Sequence, residues 1–188
     1  MERVPTGFPL ALSLKPFAAA EASVVRALDV HVLEASADTL DLRYMLDAPL
    51  ARLAIPPSRE SRHVDELWRH TCFEAFLRVK DSTAYYELNV SPSTEWALYS
   101  FQSTRREMAP VTGTRAPEVR MQRAANRLQV NVRLDLRSLS RIAALALAAV
   151  IEDENARLSY WALKHPSPKP DFHHRDCFAS ELSPVISP

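Results

Sequence analysis

Glu74 and Glu87 are the carboxylates whose setting suggests chemistry. They lie in two alternating runs, Cys72–Val79 and Ala84–Val90, joined by the polar turn Lys80-Asp81-Ser82-Thr83. In the first run Phe73, Ala75, Leu77 and Val79 point one way, and Cys72, Glu74 and Phe76 the other. In the second, Tyr86, Leu88 and Val90 share one side, and Tyr85, Glu87 and Asn89 the opposite side. Alternation with a period of two marks strands that turn one face to a core. The hairpin therefore has a dry face and a second face carrying Glu74, Glu87 and Asn89 among aromatic rings. Convergent polar groups among rings suit a small-molecule site. An ordinary half-exposed sheet has the same appearance. Two carboxylates on adjacent strands also fit glycoside hydrolysis, so a small glycoside hydrolase stands as an alternative.

Other side chains widen the choice. Trp68 precedes the hairpin beside a charged loop, Trp96 opens the next strand, and Trp161 lies on the penultimate one. Flat sugar faces stack on such rings, while large aromatics also fill cores. His63 and His70 flank the central motif. His165, His173 and His174 gather near Asp171, Arg175 and Asp176 in the tail HPSPKPDFHHRDC. Imidazoles and carboxylates from two segments suit a metal or a polar ligand, yet neither HExxH nor paired Cys-x-x-Cys is present, so no metal ligand is assigned. Cys72 beside His70 or His174 would be a thiolate pair, but a cysteine inside a strand is normally inert, and no catalytic residue is assigned. Arg105, Arg106, Arg115, Arg120, Arg123 and Arg127 lack interleaved aromatics and read as solvated charge.

The elements that must position these groups follow from the whole chain. Its 188 residues fit one domain and suffice for a sizeable core. Equal numbers of acidic and basic residues give zero formal charge, which supports neither nucleic-acid nor anionic-membrane affinity. Two glycines exclude glycine-rich phosphate loops, and fourteen prolines leave the turns to Pro, Asp, Asn and Ser. No stretch reads as a bilayer span or a signal peptide, so a cytoplasmic location with two free thiols, Cys72 and Cys177, is expected. Residues 1–23 read as a lead-in segment and residues 24–188 as the domain. Within it Leu28–Val32 and Leu40–Leu46 form a hairpin, Leu50–Ile55 a short strand, and Ser58–Leu67 a loop. Trp96–Phe101 is a strand, Gln102–Pro117 a long loop, and Val119–Arg123 with Leu128–Leu136 a hairpin. Ser138–Ile142 is expected as a helical turn. Ala143–Ile151, Arg157–Lys164 and Cys177–Leu182 are expected as strands. About nine or ten short antiparallel strands predict an all-β sandwich or barrel.

The run LWRHTCFEAFL, followed by YYELNVSPSTEWALYSF, resembles the DOMON-like domains. Within them it is similar to family-nine carbohydrate-binding modules. The tail WALKHP with PDFHHRDCF resembles small bacterial DOMON-like proteins of unassigned function. The resemblance implies a β-sandwich of jelly-roll type that binds a ligand, a sugar in some members and haem in others. It implies that Trp68 matches the first of two ring-clamping tryptophans, with Trp161 as candidate for the second and Glu74 in the acidic strand position. The expected function is therefore non-catalytic binding of a small ligand, a saccharide by preference. Trp68 and Trp161 would stack on it, Glu74, Glu87 and Asn89 would hydrogen-bond it, and His174 and Arg175 would reach it from the C-terminal loop. No cofactor is expected. Haem or a divalent metal is the alternative, with Met45, Met108 and Met121 present but no axial pair assigned. The sequence leaves the oligomeric state open.

Overall fold

A computed structural model describes residues 9–17, 23–178 and 180–181, the last two by their backbone alone. In chain order the strands are β1 (Leu10–Ser13), β2 (Lys15–Pro16), β3 (Ala27–Ala35), β4 (Thr39–Asp47), β5 (Cys72–Val79), β6 (Tyr85–Val90) and β7 (Trp96–Phe101). They continue as β8 (Ala109–Pro110), β9 (Glu118–Ala124), β10 (Arg127–Asp135), β11 (Ile142–Glu152), β12 (Leu158–Ala162) and β13 (Ser180–Glu181). One sheet has five strands in the order β1-β3-β4-β10-β9. The other has eight, in the order β2-β12-β11-β5-β6-β7-β8, with β13 beside β11. Every strand pairing is antiparallel. The all-β sandwich expected from the alternation is thus the fold observed, with more strands than the expected nine or ten. Among the described residues no helix is long and apolar enough to cross a membrane.

The layers follow from where alternate side chains go. In β3, β4 and β10 every second residue is buried, so Leu28, Val30, Leu42, Tyr44, Leu46, Leu128, Val130 and Val132 face the second sheet. Phe73, Ala75, Leu77, Leu88, Val90, Leu98, Leu145, Leu147 and Ala149 meet them from the eight-stranded sheet. Fully burying such side chains contributes about 1.5–3 kcal/mol each. The Tyr44 hydroxyl crosses this core and donates to the backbone carbonyl of Glu74 at 2.9 Å, tying β4 to β5.

Both faces of the eight-stranded sheet are covered at its centre. That is why β11 reads as IAALALAAVIE without alternation. Leu145, Leu147, Ala149 and Ile151 enter the inter-sheet core. Ala146, Ala148 and Val150 belong to a second cluster on the outer face, with Phe76, Tyr85, Ala97, Tyr99, Phe101, Ala162, Phe172 and Cys177. Phe172 and Cys177 come from the C-terminal segment, which lies over the sheet.

Three local expectations are corrected. Leu50–Arg52 is a 3-10 turn after Pro49, and only Leu53 makes a bridge, to Asp153, where a short strand was expected. Ser138–Ile142 forms no helical turn. Leu139 N donates to Leu136 O, and the carbonyl of Arg141 accepts from Lys80 N, which draws the chain straight into β11. The closing strand expected over Cys177–Leu182 is split: a 3-10 turn spans Arg175–Cys177, β13 spans only Ser180–Glu181, and Leu182 lies outside the described residues. Within the expected lead-in, β1 pairs with β3 and β2 with β12, while residues 1–8 and 18–22 lie outside the described residues.

Candidate functional site

Two places draw the sequence's polar groups together. The first is the outer face of β5 and β6. Antiparallel register sets Glu74 directly opposite Asn89, and Phe76 opposite Glu87. The three polar residues expected to converge do so. They are nevertheless buried, with Glu74 at 3%, Glu87 at 5% and Asn89 at 0% exposure. Asn89 Nδ2 donates to Glu87 Oε1 at 2.7 Å, and its Oδ1 meets only the Cys72 thiol, at 3.8 Å. Among the described residues Glu74 Oε1 has no hydrogen-bond partner. Burial, reinforced by the Glu87 carboxylate, pushes the Glu74 carboxyl well above its usual range. Burial likewise raises Glu87, against the opposing pull of the Asn89 amide and Arg105. Burial and the neighbouring carboxylate both favour the protonated form of Glu74.

The C-terminal segment closes over them. His173 Nδ1 lies 2.8 Å from the Tyr85 hydroxyl, and its Nε2 lies 3.6 Å from Glu87 Oε2. Its ring packs edge-on against Phe76, Tyr85 and Phe101. Burial, with Arg105 nearby, lowers the His173 imidazole to about 4, so it is neutral at pH 7. Arg105 reaches from the loop after β7 to Asp171 at 2.9 Å, and its own N–H donates to the Tyr85 hydroxyl at 3.1 Å.

The second place is an open groove of about 640 Å³ at the end of the same sheet. Its walls are the segment after the first 3-10 turn, the 3-10 turn Leu67–Arg69 and the turn between β6 and β7. Asp65, Glu66, Glu95, Glu152, Arg59 and Arg69 supply its charge, with His70 beside them, and Arg69 pairs with Glu66 at 2.8 Å. Each acid is matched. Tyr99 donates to Asp65 at 2.6 Å, Arg62 and Ser93 hold Glu95, and His70 Nδ1 sits 2.7 Å from Glu152. Hydrogen bonds from Ser93 and Arg62 hold Glu95 below its usual carboxylate range. Glu66 (φ 61°) and Thr94 (φ 74°) adopt left-handed backbone at its rim, a conformation that costs a non-glycine residue of order 1–3 kcal/mol. The groove is preformed and holds acceptors, donors and an imidazole side by side.

The two tryptophans expected to clamp a ring are not brought together. Trp68 stands in sequence between two groove residues, Leu67 and Arg69, and is 46% exposed with Arg69 over its ring at 5.3 Å. Trp161 points the other way. It pairs with Ala149, which faces the inter-sheet core, and is 4% exposed there, its Nε1 donating to Ser159. From the tail, His174 caps the 3-10 turn by accepting from Asp176 N, and Arg175 extends into solvent beside Asp176. His173, not its neighbour, turns inward. Tyr85, whose period-two position already put it with Glu87, is the one partner of this network legible in advance. Arg105, Asp171 and His173 were not, because loop contacts carry no periodicity.

No protein-family model matches the chain, and no curated protein matches it. Its fold is similar to that of a crystal structure from Bacteroides uniformis ATCC 8492 described as a "putative carbohydrate-binding protein", with a TM-score of 0.59 and 9% sequence identity. The match covers 90% of this chain and 84% of that one. At such low identity the likeness shows a shared fold.

Proposed function

We propose that this protein is a DOMON-like β-sandwich that binds a small polar ligand, a saccharide, without catalysing a reaction. The observation that carries the reading is the preformed groove, with exposed Trp68 lying in sequence between two of its wall residues, Leu67 and Arg69. Its volume lies within the roughly 300–1,000 Å³ usual for small-molecule sites. Four acids against two arginines leave its walls acidic, each acid is hydrogen-bonded, and the many hydrogen-bonding atoms suit a polyhydroxy ligand. Trp68 supplies the flat apolar partner that a pyranose face needs. The fold likeness to a protein described as carbohydrate-binding supports the same reading. In it, Trp68 stacks on the sugar, while Asp65, Glu95 and Arg59 take its hydroxyls. Glu74, Glu87 and Asn89 act on a ligand only when the covering segment is displaced, and His174 and Arg175 lie on that segment.

Calorimetric titration with a panel of mono- and disaccharides tests this. Wild-type protein should bind at least one sugar. Trp68→Ala should weaken it by roughly tenfold, about 1.4 kcal/mol, at unchanged stability. Silence toward every sugar would remove the saccharide reading. Binding that ignores Trp68→Ala would remove Trp68 from the site.

A further inference from the structure

The segment from Pro166 to Phe178 is held to the sandwich in an unusual way. None of its described backbone groups pairs with the sheet beneath. The bonds Cys177 N to His174 O and Phe178 N to Arg175 O are internal to it. So are those from His173 N to Asp171 Oδ1 and from Asp176 N to His174 Nδ1. What joins it to the sheet are side chains. Phe172 and Cys177 are buried in the outer-face cluster, and Phe178 packs against it and stacks edge-on with Tyr85. His173 reaches Tyr85 and Glu87, and Asp171 reaches Arg105. By contrast the neighbouring β5 lies between two full ladders, to β6 and β11.

We propose that this segment is a strap, which lifts from the outer face as one unit while the sandwich stays folded, with His173, Asp171, Arg105 and Tyr85 as its latch. Two physical reasons favour separate opening. A segment without ladder bonds opens at lower free energy than the strands it covers. The groups it hides are costly to keep dry. Among the described residues Glu74 Oε1 is unpartnered, and burial raises both the Glu74 and Glu87 carboxyls, so lifting the strap brings water to Glu87, which His173 touches, and toward Glu74 on the same face. The face it uncovers carries Phe76, Tyr85, Tyr99 and Phe101 around those two acids. The inference does not rest on the groove, which the strap does not line.

Hydrogen exchange on the full chain, read by mass spectrometry at pH 7, tests it. The amides of His173, Asp176, Cys177 and Phe178 should exchange at least tenfold faster than those of β5 and β11, with a weaker dependence on urea. Arg105→Ala should speed the strap amides a few-fold, as loss of one largely exposed ion pair does. His173→Ala, which also removes three ring contacts, should speed them tenfold or more. In both variants the β5 and β11 amides should stay within twofold of wild type. Strap and β5 amides exchanging together with the same urea dependence would overturn the proposal. So would strap rates that neither variant changes.

Discussion

Replacing Glu74 by glutamine should stabilise this protein more at neutral and alkaline pH than in acid. Glu74 is buried opposite Asn89, one of its oxygens lacks a partner among the described residues, and the Glu87 carboxylate stands on the adjoining strand. A buried polar atom without a partner costs about 1–3 kcal/mol. Glutamine keeps the shape and adds an N–H donor where Asn89 Oδ1 is met only by a thiol at 3.8 Å. The folded-state value of Glu74 lies above its ordinary 4.5, so the fold binds a proton more tightly than the unfolded chain. Its burden is absent below about pH 4.5 and grows as the pH climbs toward the raised value. The gain from Glu74→Gln should therefore be about 1–3 kcal/mol larger at pH 8 than at pH 4. For a chain of this size that is about 2–12 °C in Tm. Urea unfolding at both pH values, with the slope checked for constancy, measures it. A variant less stable than wild type at pH 8, or one with the wild-type pH slope, would refute the picture of a protonated, under-satisfied carboxyl.

Two further outcomes are expected. Trp161→Ala should cost about 3–5 kcal/mol in urea unfolding, because the ring fills the inter-sheet core, whereas Trp68→Ala should stay within about 0.5 kcal/mol. Glu95 works in the opposite sense to Glu74. Ser93 and Arg62 hold its carboxyl below the ordinary 4.5, so its stabilising effect is present above that pH and fades as the pH falls through the lowered value. In Glu95→Gln this acid-side loss should be missing from a stability-against-pH series.

Period-two alternation determined an all-β fold of strands with one dry face each, and the two-sheet topology made it a sandwich. Leu28, Val30 and Val32, Leu40 to Leu46, and Leu128 to Leu134 each put one side of a strand into oil and the other into water, which a sandwich or a barrel satisfies. The same periodicity put Glu74, Glu87, Asn89 and Tyr85 on one face, because a strand's side-chain direction is a local property. Depth was not local. Whether that face meets water depends on a segment some ninety residues later, whose docking rests on Phe172, His173 and Asp171 touching Phe76, Tyr85 and Arg105. The same limit governed the tryptophans. Trp161 alternates with Tyr160 and Ala162, and only its register against Ala149 tells which face is the core. Local sequence thus chose the strands and their sides, and the tertiary structure chose which side stays dry, since burial arises from what the distant chain lays on top.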